Sequence, residues 1–303
     1  MAERFPDRFP ERFAVRSVEY PVAQHCNLSC EHCDHASPLL PSKLADVAQF
    51  ERDVERLAGV LQAEEFRIIG GEPLLHPEVV ALLRFARHSG IATSITLVTN
   101  GLLLQQVPAE LWTLIDTLWL SRYPKVASQI DMDDVRRRCE EHDITLDSRE
   151  IDRFKQTLVN NRIEDPALVQ QIFDRCLIAQ KWRCYTVCEG RFYKCSPAPF
   201  MSERLRLRGV SFNNADDGVV IDDDPRLSER LQTYLSSTRP LDACAYCLGT
   251  CGHEYPHRQL KRREVLDAIA RDDGPIDTLI DPNQLLRDPI AIRQPKFWRL
   301  QAS

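Results

Sequence analysis

The chain has 303 residues, 43% of them hydrophobic, with a formal net charge of −6 and a pI near 5.8. That is enough for one large domain or two ordinary ones with a sizeable core. The acidic balance argues against a nucleic-acid-binding surface. The charged start (MAERFPDRFPERFAVR) has no apolar signal core, and no run of about 18 apolar residues offers a membrane span. A cytoplasmic protein without nucleic-acid or membrane partners is expected.

In chain order, residues 15–24 (VRSVEYPVAQ) are strand-like and run into a cysteine-rich loop. Residues 44–62 carry apolar side chains near helical spacing, and 65–71 (EFRIIGG) form a short strand ending in a double glycine. Residues 76–90 read as a helix closed by Gly90. A β-branched strand follows at 91–101, then a helical pattern over 102–115 interrupted by Pro108. A strand at 116–121, a helix at 132–143 and a strand-like run at 144–151 close this half. Strands alternating with helices imply a parallel sheet with helices outside, as an open or closed barrel. Sites in barrels lie at the C-terminal ends of the strands. The cysteine loop, Gly70-Gly71, Thr99-Asn100-Gly101 and Ser121 all close predicted strands and are expected to share one rim.

The second half differs. Residues 165–176 look helical, 184–195 (CYTVCEGRFYKC) form a hairpin about Glu189-Gly190, and 213–218 (NNADDG) form a turn. Residues 224–237 read as a helix with Asp224 as N-cap. CAYCLGTC follows at 244–251, then a weakly patterned Asp/Pro-rich tail.

Eleven cysteines stand out. In a reducing compartment such density points to metal binding or catalysis rather than disulfides. Cys26, Cys30 and Cys33 stand together, Cys139 is alone, and Cys176, Cys184, Cys188, Cys195, Cys244, Cys247 and Cys251 crowd the second half. Three thiols in one loop leave one metal position without a protein ligand, as catalytic metals do for substrate. On spacing alone two other readings stay open: zinc with His25, His32 or His35 as fourth ligand, or three unrelated buried thiols.

CNLSCEHC at 26–33, followed by GGEPLLHP at 70–77, resembles the radical S-adenosylmethionine (radical SAM) superfamily over residues 17–150. The resemblance implies an α/β partial (β/α)6-type TIM barrel. It implies that Cys26, Cys30 and Cys33 ligate a [4Fe–4S] cluster whose remaining iron is chelated by S-adenosylmethionine. It also implies reductive cleavage of that sulfonium, a 5′-deoxyadenosyl radical that abstracts a substrate hydrogen, and an external electron donor of flavodoxin or ferredoxin type. Gly70, Gly71, Glu72 and Pro73 match the family's GGEP strand end. Backbone carbonyls there, with Glu72, would receive the methionine ammonium, which can only donate. Thr99 and Asn100 fall where the family contacts the nucleoside, and Ser121 where a hydroxyl meets the ribose. Simple turn and strand-end roles stay open for these three. His32 holds a position often aromatic in the family, where it would pack on adenine or face solvent.

Cys176, a G-x-x-x-x-C pattern at 190–195 and the pair Cys244 and Cys247 resemble the auxiliary-cluster region called SPASM, and more closely its shortened Twitch form. The resemblance implies an auxiliary [4Fe–4S] cluster on Cys176, Cys195, Cys244 and Cys247 in a small C-terminal α+β domain. Only Cys251 follows the pair, which departs from the full SPASM set. The implied organisation is an N-terminal extension (1–16), a barrel core (17–160), an auxiliary-cluster domain (161–265) and a C-terminal tail (266–303). Cys139, Cys184 and Cys188 stay unassigned, the last two also as alternative ligands.

The leading functional reading is a radical enzyme acting on a sugar, cyclitol or aminoglycoside-like small molecule. Peptide modification and a non-enzymatic metal-binding redox module are the alternatives. Peptide-modifying members often carry an N-terminal leader-binding domain, and only a short segment precedes the first strand here; the GGEP match speaks against a non-enzymatic module. Cys251, between Gly249 and Gly252, is expected on an accessible loop near the substrate. Its thiol would return a hydrogen atom and so favour epimerisation. Dehydrogenation instead needs a base for the proton and an electron acceptor, a role open to the auxiliary cluster. His253, Glu254 and His257 are candidate substrate-binding groups.

Overall fold

The computed structural model describes residues 12–290; positions 1–11 of the expected extension and 291–303 of the expected tail lie outside them. β1 (Phe13–Ala23), β2 (Leu61–Gly70), β3 (Ala92–Thr99), β4 (Thr117–Arg122) and β5 (Thr145–Glu150) run parallel, each beside the one before it. After β6 (Arg153–Lys155), β7 (Tyr185–Cys188) lies parallel to β1 on its other side. β8 (Arg191–Tyr193) and β9 (Gly218–Val220) extend that edge antiparallel. β6 pairs instead with β10 (Glu254–Pro256). The main sheet runs β5-β4-β3-β2-β1-β7-β8-β9 and stays open, which is the α/β partial barrel expected from the sequence.

The two faces of this sheet differ in chemistry. Val18, Tyr20, Val22, Phe66, Ile68, Ile95, Leu97, Leu118 and Leu120 are buried in the main core. They meet the apolar stripes of α1 (Val47–Val60), α2 (Val79–Ser89) and α3 (Met132–Glu141), which supply Phe50, Leu57, Leu82, Leu83, Val135 and Cys139. Fully burying one such leucine contributes roughly 1.5–3 kcal/mol. Asp46 and Asp131 start α1 and α3 by accepting the backbone N–H groups of Gln49 and Asp134. Gly90 ends α2 at φ 71°. The alternate residues point to the opposite face. There stand Ser17 and Glu19 of β1, Glu65 and Arg67 of β2, Thr96 of β3, and Trp119 and Ser121 of β4. That inner face is polar.

The helix expected over 102–115 is replaced by two short 3-10 turns, Leu104–Gln106 and Ala109–Thr113. Pro108 lacks an N–H and forces Val107 into an extended conformation, which stops helical propagation. In the second half, α4 (Pro166–Arg175), α5 (Met201–Arg206) and α6 (Leu227–Ser236) follow. Asp224 does not cap α6: Arg226 holds that position, and Asp224 accepts the Arg226 N–H in a local turn.

The hairpin turn sits at Glu189-Gly190, with φ of 50° and 75°. It is tied to the barrel by Asp53 of α1, fully buried, which accepts the Tyr20 hydroxyl at 3.0 Å and the Gly190 N–H at 3.2 Å. Residues on both sides of position 160 therefore share one sheet. β10, α7 (Arg262–Ala270) and the short α8 (Pro282–Leu285) are further C-terminal elements. Among the described residues no helix is long and apolar enough to cross a membrane.

Candidate active site

A cavity of about 250 Å³ opens on the inner face of the sheet. Cys26, Cys30, Cys33, Gly70, Gly71, Thr99, Asn100 and Ser121 all border it, so most of the expected rim converges. Burial pushes the Cys26 and Cys33 thiols up to about 12 and Cys30 to about 11. Iron binding here must therefore displace protons. Donors already face the sulfurs. Leu28 N lies 3.4 Å and Asn100 Nδ2 3.7 Å from Cys26 Sγ. Gln259 Nε2 and His257 Nε2 each lie 3.2 Å from Cys30 Sγ. Among the described residues no three Cys, His, Asp or Glu side chains stand close enough to clasp one ion. The trio instead borders an open space, and a thiolate set with N–H donors on its sulfurs fits an iron–sulfur cluster. His32 stacks on Tyr255 at 4.9 Å and His35 pairs with Asp34 at 3.0 Å.

The donors on Cys30 come from the far end of the chain. Residues 257–260 lie across the cysteine loop as an antiparallel strap. Glu31 N donates to Arg258 O, Leu260 N to Ser29 O, and Ser29 N to the Gln259 side chain. The Arg258 guanidinium pairs with Glu31. His257 also stacks on Tyr123 at 4.9 Å. Of the three candidates named from sequence, only His257 reaches this site: Glu254 pairs with Lys155 and is exposed.

The glycines of the GGEP segment serve the chain itself. A Cβ on Gly70 would stand 2.2 Å from Ala23 O, and one on Gly71 2.2 Å from His25 O. Gly71 N and Glu72 N donate to those same carbonyls. Glycine thus lets β2 close against the start of the cysteine loop. Glu72 departs from the expectation that it meets the cofactor ammonium. It is fully buried, does not border the cavity, and accepts Leu74 N at 3.0 Å, the Thr99 hydroxyl at 2.7 Å and Asn100 N at 2.9 Å. Burial pushes its carboxyl up to about 7 against those bonds. It joins the ends of β2 and β3. Pro73 is likewise buried, at the first position of a short turn. Asn100 spans from Leu102 N to Asn27 Oδ1, which holds the cysteine loop against β3.

The cavity floor was not anticipated from sequence. Glu19, Arg67, Trp119 and Cys184 border it together with the thiol trio. The signal was the alternation S-V-E-Y in β1, E-F-R-I in β2 and T-L-W-L-S in β4. Parallel strands buried on both faces ordinarily read as continuous apolar runs, so polar alternation marks a hydrated or ligand-binding face.

The second cysteine group is enclosed. Cys176, Cys195, Cys244 and Cys247 surround a void of about 30 Å³ walled by Ile172, Phe173, Ile178 and Leu241. Gly249, at φ 53°, brings its loop so close that a Cβ would stand 2.8 Å from Cys176 Sγ. Asp217 accepts the N–H groups of Asp242 and Ala243, fixing the turn that carries Cys244. Two buried cations flank the group. Burial lowers Lys194 to about 8 while Cys244 and Cys195 oppose that shift, and burial lowers Arg204 to about 10 while Asp273 and Cys247 oppose it. Four thiolates here would carry net negative charge, which two buried cations complement.

Cys251 is placed elsewhere than expected. It is 1% exposed, packs with Leu248, Val159 and Ile280, and does not border the cavity. Its backbone is clasped on both sides, by Leu248 O and by Asp281 N. The neighbouring glycines serve close packing rather than access: a Cβ on Gly252 would stand 2.0 Å from Gln156 O. Cys139 lies in the main core on α3, and Cys188 packs beside Tyr193.

Residues 20–143 match the model of the Radical SAM superfamily. The cofactors of that family are a [4Fe–4S] cluster and S-adenosylmethionine. Among curated relatives, the chain is 33% identical over 134 residues to a GTP 3′,8-cyclase of Rhodopirellula baltica, covering 39% of this chain and 36% of the relative. It is 32% identical over 113 residues to an S-adenosylmethionine-dependent nucleotide dehydratase of Selenomonas ruminantium, covering 34% and 38%. The chain thus spans little more than a third of the length of these relatives. Among solved structures, BtrN in complex with AdoMet and 2-DOIA is similar at a TM-score of 0.44 and 14% identity, over 76% of this chain and 92% of that one.

Proposed function

We propose that the protein is a radical SAM enzyme that abstracts a hydrogen atom from a small polar substrate inside the partial barrel and oxidises it. One observation carries this reading: a single cavity runs from the three thiols and the glycine strand end to a polar floor of Glu19, Arg67 and Trp119. In this reading Cys26, Cys30 and Cys33 hold the cluster, and Gly70, Gly71, Thr99, Asn100 and Ser121 hold S-adenosylmethionine. When bound, that pair supplies a 5′-deoxyadenosyl radical. The protein orients the substrate carbon below the rim and keeps water out. Oxidising a secondary alcohol removes one hydrogen atom, one proton and one electron. Cys176, Cys195, Cys244 and Cys247 would hold an auxiliary [4Fe–4S] cluster as the electron acceptor, and an external flavodoxin- or ferredoxin-like donor would start each cycle.

A second reading, inversion of the carbon centre, is favoured by one residue. Cys184 borders the cavity, which Cys251 does not, and its thiol can return a hydrogen atom to a substrate radical. Anaerobic turnover in deuterated water separates the two. Oxidation gives product lighter by two hydrogens and free of solvent label. Inversion gives product of unchanged formula with one deuterium on the inverted carbon, and would replace the first reading.

A further inference from the structure

The acids on the inner face are not equivalent. Glu65 is paired with Arg67, Asp34 with His35, and Asp147 with Arg149. Among the described residues Glu19 makes no direct ion pair, although His35 and Arg67 act on it from a distance. It is 3% exposed, and Thr186 donates its hydroxyl to Oε1 at 2.8 Å. No hydrogen bond reaches Oε2 from the described residues. Arg67 lies beside Glu19 in register, yet its guanidinium turns away: Nε lies 2.8 Å from Glu65, and Nη1 lies 4.0 Å from Cys184 Sγ.

Burial pushes the Glu19 carboxyl up, against the opposing pull of the nearby His35 and Arg67 charges and the Thr186 hydroxyl. An enclosed carboxylate without a direct ion-pair partner is costly unless a proton or a positive ligand meets it. The surroundings provide room for a ligand. Glu19 borders the cavity, and Trp119 forms another wall, its ring 5.2 Å from the Arg67 guanidinium and 3.6 Å from that of Arg149. Glu19 lies four residues before the end of β1. At about 3.3 Å per residue that places it roughly 13 Å below the rim.

We propose that Glu19 binds the ammonium group of the substrate, so that the substrate is a small hydroxylated primary amine. This inference rests on the reading of the cavity as a radical SAM active site. A cationic amine entering the floor would give Glu19 the direct ion pair it lacks, while a hydroxyl group would meet Trp119.

The test uses three ligands that share one ring and differ in charge: glucosamine, glucose and glucuronate. Each is titrated calorimetrically into anaerobic holoenzyme carrying S-adenosylmethionine at pH 7. Glucosamine is expected to bind at least about tenfold more tightly than glucose, with glucuronate weakest. Glu19→Gln should abolish the preference by weakening glucosamine about tenfold while leaving glucose within about twofold. Three results overturn the proposal: no glucosamine binding to the wild type, equal binding of glucose or glucuronate, or an undiminished amine preference in Glu19→Gln. Affinity for S-adenosylmethionine is measured in the same samples. Its loss in Glu19→Gln with the ligand preference intact would move Glu19 to a cofactor role and also overturn the proposal. The wild-type panel decides the matter even if the variant is poorly folded. Absent iron or absent cleavage of S-adenosylmethionine by the wild type would instead bring down the broader reading, so the two failures are distinguishable.

Discussion

The two cysteine groups are opposites in construction. The trio at 26–33 comes from one loop, borders an open cavity, and has the Asn100 and Gln259 amides and the His257 ring against its sulfurs. The group at 176, 195, 244 and 247 is gathered from three places in the chain, encloses a void of about 30 Å³ and is flanked by buried Lys194 and Arg204. Open ligation leaves a position for substrate or cofactor; closed ligation serves structure or electron transfer. The difference teaches that the first group is laid down by one loop, whereas the second exists only where the folded region brings distant thiols together.

The largest expected effect tests that contrast directly. Replacing Cys244 and Cys247 with Ala should remove about half of some eight irons and also collapse folding of the second half, seen as a lost or strongly lowered melting transition. Replacing Cys26, Cys30 and Cys33 with Ala should remove the other half and all cleavage of S-adenosylmethionine, with folding preserved. If the trio variant unfolds while the pair variant melts normally, the assignment of roles is reversed.

A smaller effect concerns how the open site is braced. Glu72 is ionised in the unfolded chain above about 4.3, but its folded carboxyl titrates at about 7. Its contribution is complete below the unfolded pKa and is lost as pH rises through the folded one. Glu72→Gln imitates the protonated form. The wild type should therefore lose stability relative to Glu72→Gln between pH 5 and pH 8, by on the order of 2 kcal/mol in denaturant titrations. A pH-independent difference between the two proteins would show that Glu72 has the same pKa folded and unfolded.

The smallest effect is expected at Cys251. Removing its sulfur leaves a small cavity in an apolar cluster, so Cys251→Ala should cost about 1–2 kcal/mol in stability. Iron content and cleavage of S-adenosylmethionine should match the wild type. A variant that still forms 5′-deoxyadenosine but no product would return Cys251 to the reaction and contradict its placement outside the cavity.

Legibility followed the length of chain that each feature needs. The trio, the double glycine and the hairpin turn depend on a few consecutive residues and are readable, whereas the cap expected at Asp224 falls instead on Arg226. The helix expected across Pro108 does not form, because apolar spacing persisted where the backbone could not follow. Glu19 was passed over because a charged residue in an alternating strand ordinarily faces solvent. Here the sheet curves, and that face lines a cavity instead.

Sequence by itself determined the thiol loop, the glycine strand end that β1 requires for close approach, and the parallel strand–helix alternation of the first half. These are written in local spacing and in the alternation of apolar and polar residues. Tertiary structure alone decided which way the isolated groups face. Ile280 packs over Cys251, and Asp281 N bonds its carbonyl, from some thirty positions away, and so bury a thiol whose glycine neighbours promised access. Asn100 and Thr99 consume the Glu72 carboxylate from across the sheet. Residues 257–260 deliver Gln259 to Cys30 from the other end of the chain. Side-chain direction in a loop is set by whatever packs against it. Those contacts come from distant segments, whose arrival no local spacing encodes.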